Sequence, residues 1–99
     1  MLIIAGSITT EPEGRQRFLD AVQPMVTATL AEPGCREYAF TADPNDATRI
    51  MLYELWDDAA ALAGHFASDH MAAWQQTRTT LPVTGTDLKK YTIESVEDL

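Results

Sequence analysis

Residues 2–9, LIIAGSIT, are rich in branched apolar side chains and stop at polar TTEPEG, which predicts a first strand. Phe18, Val22, Met25, Val26 and Leu30 then recur at helical spacing, with Arg15, Arg17, Asp20 and Gln23 elsewhere around the axis. That pattern predicts an amphipathic helix lying on another layer. Thr10 and Glu13 have capping-box spacing for its start, while Pro12 and Gly14 leave the first helical residue open. Pro24 falls inside the helix and predicts a kink, because a missing N–H and a ring clash cost about 3 kcal/mol in a helix interior. The stretch AEPG at 31–34 ends it, since Pro33 disfavours helical geometry at Glu32 and Gly34 permits the turn.

A second strand, CREYAFTA, and a third, RIMLYELW at 49–56, flank the turn cluster DPNDAT, which predicts an antiparallel hairpin. Asp57 is placed to cap a following helix, DAAALAGHF, and Ser68 to cap another, DHMAAWQQTRTTL, before Leu81-Pro82 breaks it. The last strand reads as LKKYTIESV, 88–96. The order is βαββαβ with a break in the second helical region. That predicts one α+β domain over residues 1–99 with the ferredoxin-like topology, a four-stranded antiparallel sheet covered by helices on one face. Along the third strand Ile50, Leu52 and Trp56 point one way and Met51, Tyr53 and Leu55 the other, so both sheet faces ask to be dry. One protomer's helices cover one face, and a homodimer packed sheet to sheet is the simplest cover for the other.

Composition narrows the partners. Fifteen acidic against seven basic side chains give a formal charge of −8, which would repel nucleic acid and anionic membrane surfaces alike. The apolar start MLIIAG is too short for a secretory h-region and lacks a basic flank, and no run reaches a membrane span, so the expected location is cytoplasmic. Cys35 is the single cysteine; with no intrachain disulfide available and no histidine nearby in sequence, it reads as a small strand residue rather than a nucleophile.

The stretch HFASDHMAAW, 65–74, holds both histidines. On one ideal helix, positions five apart lie about 140° around the axis, so His65 and His70 would not share a face unless Ser68 starts a new axis. With no second carboxylate or cysteine placed to complete a ligand set, no metal is expected. Leu62, Phe66, His70 and Trp74 recur at spacing four, so the bland reading of His70 is a partly buried ring beside the apolar stripe. Glu54 is a carboxylate in an apolar strand, on the face of Leu52 and Trp56. Buried there it needs a partner, the overlying histidines being the nearest donors, and a carboxylate that orients an imidazole makes a general base near neutral pH. A solvent-exposed edge or a pair with Arg49 would satisfy it equally. No glycine-rich phosphate loop, nucleotide fingerprint or serine elbow is present, so the substrate itself must carry much of the reactivity.

EPGCREYAF followed by DPNDATRIMLYELWDDAAALAGHFASDHMAAW resembles the antibiotic biosynthesis monooxygenase domain, the quinol monooxygenase-like group of small dimeric α/β-barrel proteins. The resemblance runs from the first strand to about Trp74. It implies a pocket between sheet and helices in which a small aromatic quinol or anthrone meets molecular oxygen, with neither metal nor flavin as cofactor. Carried over, His65 or His70 would serve as base, Glu54 as orienter, and Trp56, Phe66 and Trp74 as walls, with Ser7 also in the pocket. A haem-degrading branch of the same fold uses an asparagine on the first strand and an iron-binding histidine late in the helical region; Ser7 and Trp74 stand near those positions here. The alternatives on this scaffold are a non-catalytic small-molecule-binding stress protein, a haem-binding member and a lactone isomerase.

Overall fold

The computed structural model describes residues 1–99 and contains seven elements: β1 (Leu2–Thr10), α1 (Arg15–Leu30), β2 (Cys35–Ala42), β3 (Arg49–Trp56), α2 (Ala59–Phe66), α3 (Asp69–Arg78) and β4 (Val83–Thr92). The strands form one antiparallel sheet in the order β2-β3-β1-β4, the predicted ferredoxin-like arrangement with its helical crossovers on one face. No helix is long and apolar enough to cross a membrane.

The two sides of β3 part as the alternation predicts. Ile50, Leu52, Glu54 and Trp56 are buried beneath the helices, whereas Met51 and Tyr53 on the opposite side stay more than a third exposed. Phe18, Val22 and Met25 project from α1 into the same core, and Trp74 of α3 meets Phe18 edge to face at 5.2 Å. Each such side chain contributes roughly 1.5–3 kcal/mol on burial, so the stripe on α1 is what fixes that helix to the sheet.

Several local expectations shift. α1 is helical on both sides of Pro24, as the apolar stripe predicts, and the proline faces solvent, where water can take over the carbonyl that it leaves without a donor. Its cap is Gly14, with no side-chain hydrogen bond, so the Thr10–Glu13 box does not form; the Thr10 hydroxyl donates instead to the Glu11 carbonyl. α2 is capped by Asp58, whose carboxylate accepts from the Ala61 amide at 2.8 Å, while Asp57 pairs with Arg36. Ser68 caps α3 as expected, accepting from Met71 N. β4 begins five residues earlier than the apolar pattern suggests. It is an exposed edge strand, and pairing with β1 rather than burial sets its limits. Gly6, at φ +148°, lies so close to β4 that a Cβ there would fall 1.9 Å from the Asp87 carbonyl oxygen; only glycine fits.

Candidate active site

A cavity of about 340 Å³ lies between the helix-covered face of the sheet and the helices above it. Phe18, Tyr38, Phe40 and Trp74 give it aromatic walls, Glu54 and His65 are set among them, and Gln75, Arg78, Lys89 and Lys90 complete the polar part of the lining. A space of this size, mostly apolar with polar groups converging on it, is the usual form of a small-molecule site.

Glu54 reaches the cavity because it is the even-numbered residue midway along β3, beside Ile4 of β1 and Tyr38 of β2. Its Oε1 accepts from the Trp56 indole N–H at 2.9 Å, two residues along the same face. Burial pushes this carboxyl up to about 7, against the pull of the Trp56 N–H and with a further push from the Glu32 charge. Its second oxygen has no hydrogen-bond partner in the protein. The expected contact from Glu54 to a histidine is therefore absent, and so is the pair with Arg49, which binds Asp43 at 2.8 Å.

The carboxylate that holds the histidines is Glu32. One of its oxygens, Oε2, meets His65 Nδ1 at 2.7 Å and His70 Nε2 at 2.8 Å. The break between α2 and α3 makes this possible. Ser68 starts a new axis, its hydroxyl also donates to the His65 carbonyl at 2.6 Å, and the two rings come to 5.9 Å between centroids despite their five-residue spacing. His65 is fully buried between Trp56, at 4.9 Å, and Tyr38, at 5.4 Å. With Nδ1 held on Glu32, its Nε2 carries no hydrogen bond to protein, and the ring lines the cavity. Glu32, His65 and His70 place three ligand atoms within 4.8 Å of one another, a two-histidine, one-carboxylate set able to hold a divalent ion. The expectation that no further carboxylate completes such a set is corrected here, since Glu32 arrives from the turn after α1.

The other candidates are distributed as follows. Trp74 lines the cavity, and Phe66 lines it from an exposed position. Trp56 is fully buried behind Glu54 and acts on the cavity through its hydrogen bond, not as a wall. His70 opens onto a second, smaller hollow beside Pro24 and Trp74. Ser7 pairs with Met51 and Asp87 on the outer face of the sheet, because alternation turns odd-numbered β1 residues away from the helices, so it does not touch the cavity. Cys35 is pushed up to about 11 by burial and by the Glu32 and Glu54 charges, which leaves it a thiol at neutral pH. Tyr38 is raised by burial and by the Glu54 charge and donates to Met25 Sδ. Glu32, Tyr38, Phe40 and Phe18 are site residues that the sequence pattern did not single out for chemistry.

The four-stranded antiparallel sheet, the helices on one of its faces and the aromatic-walled cavity between them make this a ferredoxin-like α+β domain. The chain belongs to the antibiotic biosynthesis monooxygenase family, whose sequence profile matches residues 1–77. It is 30% identical to the probable quinol monooxygenase YgiN of Escherichia coli over 77% of this chain and 83% of that one. It is 26% identical to the uncharacterized protein sll1783 of Synechocystis over 99% of this chain and 67% of that one. Its fold matches the crystal structure of a candidate antibiotic biosynthesis monooxygenase from Deinococcus radiodurans with a TM-score of 0.88, at 21% identity, covering 100% and 98% of the two chains.

Proposed function

We propose that this chain oxygenates small aromatic quinols or anthrones with molecular oxygen, the electron-rich ring of the substrate supplying the electrons. The observation that carries the reading is Glu54: a carboxylate with one free oxygen in the wall of an aromatic cavity, poised near neutral pH. In the reaction, Glu54 takes the proton from a phenolic hydroxyl, and the resulting anion passes one electron to oxygen. The aryloxyl radical and superoxide combine at a ring carbon, and the proton held by Glu54 passes to the distal oxygen, giving a hydroperoxide and restoring the base. Loss of water, which takes the hydrogen of that ring carbon together with the distal hydroxyl, leaves one oxygen atom on the ring as a quinone carbonyl and releases the other as water. His65, oriented by Glu32, offers Nε2 as the second polar contact for the substrate. The test is oxygen uptake by the purified protein against hydroquinones, naphthoquinols and anthrones; binding without uptake above the spontaneous rate would move the reading to a non-catalytic binder.

Trp56→Phe gives a finer check on the base. The indole N–H favours the charged form of Glu54, so its loss raises the Glu54 pKa further. A base must be ionised to act, and the acid limb of the rate–pH profile is expected to move to higher pH in the variant. An unmoved limb with a uniformly lower rate would assign Trp56 to packing alone.

The outer sheet face supports a homodimer as part of this proposal. Met51, Tyr53 and Tyr91 stand exposed there in one protomer, and Leu55 and Ile3 are only half covered. Sedimentation equilibrium is expected to give twice the chain mass, and Tyr53→Asp to give monomers; a wild-type monomer at micromolar concentration would remove this part of the reading.

A further inference from the structure

The chain has seven lysines and arginines. Five are engaged within the protein. Arg15 donates to the carbonyls of Asp43 and Asp46, Arg17 to that of Thr80, and Arg36, Arg49 and Lys89 pair with Asp57, Asp43 and Asp87. The two left without a hydrogen-bond or ion-pair partner are Arg78 and Lys90, and both line the aromatic cavity. In a chain of net charge −8, the two basic side chains without an internal partner thus both belong to the cavity lining.

We infer that the cavity takes an aromatic ligand bearing a carboxylate, and that Arg78 and Lys90 receive that carboxylate while the ring lies among the aromatic walls. The inference deepens the functional reading above, because it names the substrate class of the same cavity. The sheet register supplies the orientation. Tyr38, Glu54, Ile4 and Lys90 stand in one row across the four strands, so Lys90 lies two strands from Glu54, about 10 Å at ordinary strand spacing. Arg78, in the last turn of α3, lines the same cavity. The Glu54 carboxyl disfavours an acid beside it, and the two cations attract one to their own part of the lining. A bicyclic ligand with its hydroxyl and its acid at opposite ends therefore enters hydroxyl first, toward Glu54.

The test compares 6-hydroxy-2-naphthoate with neutral 2-naphthol, read by titration calorimetry and by tryptophan fluorescence at low ionic strength. The acid is expected to bind at least about tenfold more tightly than the naphthol, with the advantage falling as salt is added. Arg78→Gln is expected to weaken the acid about tenfold. Lys90→Gln, at a more exposed site, is expected to weaken it about threefold. Both should leave the naphthol unchanged, and Arg36→Gln should move neither ligand. Equal affinity for the two ligands, losses shared by both, or no binding of the acid would overturn the inference. Oxygen uptake separates the two readings: acid selectivity without uptake sinks the oxygenase and spares the ligand class, whereas uptake with neutral quinols preferred over acidic ones does the reverse.

Discussion

Glu54→Gln is expected to lower oxygen uptake by about 100-fold or more while making the chain more stable above pH 7. The loss follows from removing the proton acceptor, since a positioned general base contributes on the order of 10²–10⁴ in rate. The amide keeps an oxygen for the Trp56 N–H, so the cavity wall should hold its shape. The gain in stability follows from linkage. Burial raises this carboxyl from 4.5 to about 7, so between those pH values the folded chain keeps a proton that the unfolded chain has lost. Stability contributed by the protonated group is fully present below pH 4.5 and is lost as pH rises through 7. Glutamine has no such proton to lose. Relative to wild type, the variant should gain about 1–3 kcal/mol at pH 8 and little at pH 4.5. Urea unfolding at both pH values reads the second half and an oxygen electrode the first. Wild-type uptake in the variant would remove Glu54 from the base role; a stability difference that does not change with pH would show that the carboxyl is not held in a desolvated state.

The same residue shows how far the sequence carries. A lone carboxylate in an apolar strand, on the same face as Leu52 and Trp56, is legible as a buried group in need of a partner, because period-two alternation is a local property of β3. The partner is not legible. Trp56 lies two residues away on that face and satisfies Glu54 within its own strand, whereas the histidines are satisfied by Glu32, which is 33 and 38 residues distant from them and sits in a turn whose sequence speaks only of helix termination. Local periodicity assigns faces; it does not bring a turn beside a helix break. The same limit explains β4, whose first residues, VTGTD, carry no apolar alternation because the strand is an exposed edge. It also explains Ser7, whose position along β1 was legible and whose outward direction needed the register. The strand order, the two-sided β3 and the break at Ser68 were legible because caps, turns and stripes are written within a few residues.

Glu32→Ala should cause the larger structural loss. It removes the single acceptor shared by two imidazoles, one of them fully buried between Trp56 and Tyr38. His65 cannot turn to water from that position, so its Nδ1–H is left without a partner, which costs about 1–3 kcal/mol for a buried polar group. The turn after α1 also loses its tie to α2 and α3. For a chain of 99 residues the expected fall in Tm is roughly 5–15 °C. Glu32→Gln separates geometry from charge, because an uncharged amide oxygen can still accept from both rings. If Glu32 acts by holding His65 Nε2 toward the cavity, glutamine should restore most of the lost stability and a substantial share of the rate. If its charge is what matters, glutamine should restore the fold and leave uptake low. Arg36→Ala, which breaks an exposed ion pair at the other side of the same turn, should leave Tm unchanged within error. A Glu32→Ala chain as stable as Arg36→Ala would mean that the histidine pair finds other partners and that Glu32 does not organise the site.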